Sequence, residues 1–273
     1  LTIGTKGAND NALVITASTT GQKFLVTGST SGNGRPGGGM NDNADYANPK
    51  VIKSDGNLTV NSGTLRLSGT TDGGEGLESK STLTINGGNI EVRTVDDCLN
   101  AATHIQINGG NIYCKATGND GIDSNGTIEI TGGTVIAQGS EEGIDCDNNT
   151  FLIKGGTIIG AGSQSMGGGP SSGSTQGFIR LTAAASTQLG IKNAAGEWIV
   201  LYQIPTATSG TGGGQGGMGG GSSLVLLLSS PQFVRGSSYS FFSGGTITGG
   251  TTVNGYNIGG TYSGGTSKSF TVN

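Results

Sequence analysis

Between Leu58 and Gly162 the chain states one phrase five times: LTVNSGTLRLSG, LTINGGNIEVRT, IQINGGNIYCKA, IEITGGTVIAQG and FLIKGGTIIGAG. A short acidic phrase follows each of the first four: EGLES, DCLNA, DGIDS and EGIDC. The second residue of each corner pair is Gly63, Gly88, Gly110, Gly133 and Gly156, at intervals of 25, 22, 23 and 23 residues. A period in the twenties, built of short alternating segments with no helical pattern between them, specifies a β-solenoid in which one repeat is one turn.

Period-2 alternation then assigns a face to each side chain. Leu58/Val60, Leu83/Ile85, Ile105/Ile107, Ile128/Ile130 and Phe151/Ile153 point inward on the first strand of each coil. Leu65/Leu67, Ile90/Val92, Ile112/Cys114 and Val135/Ala137 do so on the second, and Leu77, Leu99, Ile122 and Ile144 on the third. Stacking these columns buries an interior that no single coil could bury alone, and three parallel sheets follow. The fold class expected is all-β. We read the chain as one elongated domain. Residues 1–57 make irregular first coils with an inserted loop at Gly32 to Asn48, and 58–162 make the regular coils. Residues 163–273, interrupted by Gly/Ser-rich stretches at Gly167 to Gly177 and Ser209 to Gly221, make irregular closing coils or a β-cap. A separate second domain is the alternative for that last part.

Glycine supplies 56 of 273 residues and proline only 5, which fits many tight β-corners and fits neither collagen nor disorder. Charged residues make up 12%, the formal net charge is -4, and there is no run of Lys or Arg, so nucleic acid is not an expected partner. The longest apolar run, Leu224 to Leu228, is far too short to cross a bilayer. Cys114 and Cys146 fall at repeat positions held elsewhere by small or apolar residues, so the three cysteines read as buried free thiols rather than a disulfide framework. Nothing in the pattern asks for a second subunit, and a monomer is expected.

Aligned by face, the acidic phrases give two columns. Glu75, Asp97, Asp120 and Glu142 form one. Glu78, Asn100, Asp123 and Asp145 form the other and face outward, with Lys50 and Lys53 at the matching positions of the first coil. Coils stack about 4.7–4.9 Å apart, and calcium sits about 2.3–2.6 Å from each oxygen ligand. A cation can therefore bridge carboxylates on successive coils, whose charges would otherwise repel across the ladder. Glu75, Glu78, Asp97, Asp120, Asp123, Glu142 and Asp145 are the candidate calcium ligands. The competing reading is a solvated negative face.

Beside this ladder, the outward positions of the second strands include Arg66, Arg93, Tyr113 and Lys115, a set of cationic donors and a ring suited to sugar faces or acidic sugars, or else plain surface. Asn61, Asn86 and Asn108 stack before the glycine corner, where side-chain amides satisfy corner backbone groups. His104, the one histidine, makes neither a metal site nor a nucleophile set by itself. Trp198 reads as packing the cap, with sugar stacking as the alternative.

The Gly-Gly-Asn/Thr-Ile/Val corners, the acidic phrases and the closing GYNIGGTYSGGTSKSFTVN resemble the secreted or cell-surface carbohydrate-binding domain family of right-handed parallel β-helices, pectate-lyase-like in shape. The resemblance spans Val51 to Asn273 and is most specific at Gly259 to Thr266. It implies a calcium-containing β-helix, secreted or at the cell surface, that binds a plant-type acidic or cellulosic polysaccharide without cleaving it. Asn100 and Cys98 depart from the family's usual Asp or His and its glycine, so the coil at Cys98 to Asn100 is where a full run of metal sites should fail. Two other functions fit the same residues. One is a pectate-type lyase working by β-elimination, with Lys115 or Arg93 as base beside a calcium ion at Asp120/Asp123. The other is a structural surface stalk.

Overall fold

The Gly-Gly corners fold as they do because only glycine can occupy their second position. Gly63, Gly88, Gly110, Gly133 and Gly156 all have φ between 88° and 98°, a region that L side chains avoid. A Cβ on Gly110 would lie 2.8 Å from the carbonyl oxygen of Gly88, and one on Gly133 would lie 2.7 Å from that of Gly110. Each corner therefore nests on the one before it, and the chain turns in step.

The structure is a computed structural model and describes residues 1–7, 12–25, 46–164, 169–207 and 223–273. The polar insertion read at Gly32 to Asn48 falls outside these except for its last three residues. The Ser209 to Gly221 stretch falls outside them entirely, and the Gly167 to Gly177 stretch in its first two residues. Three sheets stack the coils as expected. The first holds Thr2–Ile3, Leu58–Val60, Thr82–Ile85, His104–Ile107, Thr127–Ile130 and Phe151–Ile153, all parallel. The second runs Val14–Thr19, Thr64–Gly69, Asn89–Thr94, Asn111–Ala116, Thr134–Gln138 and Thr157–Gly162. The third holds Lys50–Ser54, Glu75–Ser79, Leu99–Ala101, Ile122–Ser124 and Ile144–Asp145. The strands before residue 55 thus supply one rung to each sheet.

The inward columns are as read from the alternation. Leu58, Leu83, Ile105 and Ile128 are at most 1% exposed, and one apolar cluster runs through every described coil. Cys98, Cys114 and Cys146 are free and buried. The asparagines at the corner form a ladder of their own: Asn86 Nδ2 donates to Asn61 Oδ1 at 2.8 Å, Asn108 Nδ2 donates to Asn86 Oδ1 at 2.8 Å, and Thr131 Oγ1 donates to Asn108 Oδ1 at 2.8 Å. They satisfy one another more than they satisfy the corner backbone. Replacing Asn108 with Ala removes two of these bonds and is expected to lower the free energy of unfolding by about 1–2 kcal/mol, read as a shifted urea midpoint at unchanged slope. His104 is held within the first sheet by Thr127 Oγ1 at 2.7 Å and Gln106 Oε1 at 3.3 Å.

The C-terminal part does more than close an end. Ser223–Ser229 adds antiparallel to Thr157–Gly162, and Phe178–Ala184 adds beyond it, so the second sheet grows to eight strands. At the edge of the first sheet, Ser171 Oγ and Ser174 Oγ accept from the amides of Phe151 and Ile153 at 3.1 and 3.0 Å, which satisfies donors that would otherwise be left open. Gln188–Lys192, Trp198–Gln203, Ser238–Thr248, Thr251–Val253, Tyr256–Ile258 and Thr261–Thr271 form a separate six-stranded antiparallel sheet. This sheet packs on the outer face of the second solenoid sheet. Tyr113, Ile136 and Ile159, outward residues on successive coils, share a second apolar cluster with Leu189, Ile191 and Tyr202. Trp198 lies over Gly190 against Phe242 and Tyr262, with the Lys192 ammonium 4.1 Å from its ring centre, so it packs the antiparallel sheet.

Candidate functional site

The third sheet puts the acidic phrases into the two expected columns. Lys53, Glu78, Asn100, Asp123 and Asp145 are register partners in turn. In the other column Lys50 pairs with Glu75, and Asp97, Asp120 and Glu142 follow on the next coils. Glu75, Asp97, Asp120 and Glu142 are all buried, and Glu78, on the outward column, is only 3% exposed. Burying carboxylates costs several kcal/mol each unless charge or hydrogen bonds compensate, so the compensation decides the chemistry.

It differs from coil to coil. At the first two coils lysines supply it: Lys50 Nζ contacts Glu75 Oε1 and lies 3.7 Å from Glu78 Oε1, and Lys80 contacts Glu78 from the other side. Each glutamate still keeps one buried oxygen, Oε2, without a hydrogen-bond partner. On the next coil an amide does the work. Asn100 Nδ2 donates to Asp97 Oδ2 at 3.0 Å and to Asp123 Oδ2 at 3.1 Å, holding two carboxylates on successive coils as a bridging cation would. Asn48 Nδ2 and Asn119 Nδ2 donate to the two oxygens of Asp96, at 2.6 and 2.8 Å. The departure at Asn100 therefore places an amide bridge between two carboxylates.

For Asp120, Asp123 and Asp145 the compensation is weaker. Asp120, Asp123 and Asp145 each bring a carboxylate oxygen within 4.8 Å of the others. Among the described residues none forms an ion pair with them. Asp120 Oδ1 accepts from the Glu142 amide at 2.6 Å, and Asp145 Oδ1 from the Cys146 and Asp147 amides at 2.8 and 3.0 Å. These bonds do not offset the field. Burial, reinforced by the charges of Asp123, Asp145 and Glu142, pushes the Asp120 carboxyl up to about 8. Burial together with Asp145 and Asp147 pushes Asp123 up to about 7. Burial also raises Asp145, and it raises Asp97 well above the usual carboxylate range with help from Asp96 and Asp123.

This donor set fits calcium. Two calcium–oxygen bonds of about 2.3–2.6 Å span roughly 4.6–5.2 Å, so one ion can touch all three carboxylates. Of the expected ligands, Asp120, Asp123 and Asp145 are brought together, Glu142 and Asp97 adjoin them, and Glu75 and Glu78 form a lysine-compensated group of their own.

The second sheet carries the expected sugar-facing residues. Arg66, Glu91, Tyr113, Ile136 and Ile159 are register partners, as are Ser68, Arg93, Lys115 and Gln138. The Arg93 guanidinium sits 4.9 Å from the Tyr113 ring centre, and its Nε donates to Glu91 Oε1 at 2.8 Å. Tyr113 is 8% exposed, with its hydroxyl 3.3 Å from Gln138 Oε1, so it is a wall residue rather than an open platform. Two grooves adjoin on this face. One of about 250 Å³ runs past Thr16, Ser18, Arg66 and Arg93. The other, of about 350 Å³, contains Arg66 and Tyr113 and is walled by Val253, Asn254, Tyr256 and Ile258 of the antiparallel sheet. Arg66, Arg93 and Tyr113 are thus brought together, while Lys115 stands beside Arg93 in register but lines neither groove. The hairpin wall escaped sequence reasoning. Its signal was the Asn254-Gly255 pair, a strong two-residue hairpin turn.

Residues 39–119 match the family model described as "Carbohydrate-binding domain-containing protein". Comparison with the curated proteins and with the solved structures finds no match. The family match, over less than a third of the chain, and the parallel β-solenoid together fit a carbohydrate-binding β-helix domain. Among the described residues no helix is long and apolar enough to cross a membrane.

Proposed function

We propose that this chain is an extracellular, non-catalytic polysaccharide-binding β-helix, secreted or at the cell surface, in which calcium fixes the last regular coils. The observation that carries the reading is the overlap of the family match with the coils that bring Arg66, Arg93 and Tyr113 together on the outer face of the second sheet. A rigid solenoid presents these groups without ordering them anew for each ligand, which limits the entropic cost of binding. Asp120, Asp123 and Asp145 would hold the calcium ion, whose part is to neutralise charge between coils.

What supports a binding rather than a cleaving role is the separation of parts. β-Elimination from a uronate needs the metal and the base at one sugar ring. Here Arg93 and Lys115 project from the second sheet, while the carboxylate cluster belongs to the third. Calorimetric titration with polygalacturonate and with soluble cello-oligosaccharide, in calcium and in chelator, tests the proposal. Saturable binding without formation of unsaturated sugar ends is the expected result. Release of unsaturated ends would make the chain a lyase, and calcium-dependent stability with no glycan binding would make it a stalk.

A further inference from the structure

Where the third strands begin, Gly76, Cys98, Gly121 and Gly143 stand in one column: the amides of Leu77, Leu99 and Ile122 donate in turn to the carbonyls of Cys98, Gly121 and Gly143. Cys98 is the member with a side chain, and it is 0% exposed within the solenoid interior. This column faces the second sheet one coil further on. A Cβ on Gly76 would lie 2.4 Å from Val92 Cγ1, and one on Gly121 would lie 3.1 Å from the Ala137 Cβ. Val92, Cys114 and Ala137 are register partners on successive strands. The coil between therefore sets Cys98 against Cys114. The Cys98 Sγ lies 3.5 Å from the carbonyl oxygen of Val92, the partner of Cys114, and the Cys114 thiol has the Cys98 thiol as its polar neighbour.

A cysteine in a column of glycines needs room, and the ladder gives way at this place. The amides of Cys98 and Leu99 reach the carbonyls of Asp120 and Gly121 at 3.3 and 3.4 Å, whereas those of Gly76 and Leu77 reach Asp97 and Cys98 at 2.9 Å. A 3.1 Å approach such as that of Gly121 to Ala137, widened by this stretch, comes to about the 3.5–4.5 Å that separates the Cβ atoms of a disulfide. Thr94 Oγ1, 2.9 Å from Cys98 Sγ, holds the sulfur on the side of the second sheet. Cys146 lies elsewhere, and its thiol donates to the Asn149 carbonyl at 3.5 Å.

We propose that Cys98 and Cys114 form a disulfide between successive coils when the chain folds in an oxidising compartment. The structure holds the pair reduced. The oxidant is an external disulfide. One cysteine attacks a sulfur of that disulfide, forming a mixed disulfide and releasing one external thiol. The second cysteine then attacks the mixed disulfide and releases the other thiol, so two electrons and the two cysteine protons leave with the external pair. Both sulfurs are buried, so the exchange takes place while the coils are still open, and the finished bond is shielded from reductants. On the outer face Asn100 already bridges Asp97 and Asp123 of the same two coils. The disulfide ties those coils from within, whatever the outer face binds.

The test compares the full chain made in a reducing cytosol with the same chain exported to an oxidising compartment, each denatured in an alkylating reagent. Trypsin cuts after Arg93 and Lys115, so Cys98 and Cys114 leave on one peptide and Cys146 on another. From the exported chain the first peptide is expected two hydrogens lighter and unalkylated until reduced, with Cys146 alkylated. From the cytosolic chain all three cysteines are expected to carry the alkyl group. The exported protein should also melt about 5 °C higher, a difference that Cys98→Ala abolishes and Cys146→Ala keeps. Should Cys98→Ala not fold, the peptide mass of the parent decides. Three alkylated cysteines in the exported chain would overturn the proposal, as would a bond from Cys98 or Cys114 to Cys146 or to a second chain. Equal melting temperatures with the bond in place would overturn its role as a tie between coils.

Discussion

In chelator, the stability of this protein is expected to fall as pH rises from about 5 to 8, by an amount on the order of 2–4 kcal/mol. With millimolar calcium the fall is expected to vanish. The sign follows from the buried carboxylates. Asp120 and Asp123 titrate near 8 and 7 in the folded chain and at the ordinary 3.8 when unfolded. Between those values the folded state holds more protons than the unfolded one, so stability is greatest at low pH and is lost as the folded groups are forced to ionise. The range reflects about one net proton on a coupled cluster, which titrates as a unit. A calcium ion replaces that proton and lets the carboxylates ionise without repulsion, and its uptake near neutral pH should release protons into the buffer.

Asp123→Asn gives the sharper form of the same test, because its effect should change sign. Without metal the amide removes one repelling charge, so the variant should be more stable than the parent at pH 8. With calcium it has lost a ligand and should be less stable. Urea unfolding followed by far-UV circular dichroism, with and without calcium, reads both signs. Parallel pH profiles for parent and variant under both conditions would mean that the cluster is only a solvated acidic face.

Which carboxylates are compensated by a lysine or an amide was only half legible in the sequence. The columns themselves were readable because a solenoid writes each neighbour one period away, so aligning Glu78, Asn100, Asp123 and Asp145 is the same act as stacking them. Lys50 at the head of its column was visible for that reason. Lys80 was not, since it reaches Glu78 from beyond the strand end through a flexible stem. Asn100 was visible as a departure, but its role as a bridge between two carboxylates depends on which way an amide points. The antiparallel sheet was the least legible part. Its pairings join Trp198–Gln203 to Tyr256–Ile258 and Ser238–Thr248 to Thr261–Thr271 without any period, and only long-range burial selects them. One trace of it did lie in the repeats: the outward column Arg66, Glu91, Tyr113, Ile136, Ile159 becomes apolar toward the later coils, and a solvent-facing column has no reason to do so.

That gradient makes Ile159→Asp the most damaging single change expected outside the solenoid interior. Ile159 is 0% exposed in the cluster that joins the two sheets, and an unpaired carboxylate there costs about 3–5 kcal/mol. The cost falls on the interface, because the side chain points away from the coil interior, where Val135 and Ile158 remain packed. Hydrogen exchange should therefore show Gln188–Lys192 and Trp198–Gln203 losing protection while Leu83, Ile105 and their neighbours keep it. Carbohydrate affinity should drop with the sheet, since the hairpin wall of the groove leaves with it, even though Arg66 is untouched. If instead all coils lose protection together, the antiparallel sheet and the solenoid are one cooperative unit. The apolar outward column would then belong to the stability of the whole fold rather than to the seating of a binding wall.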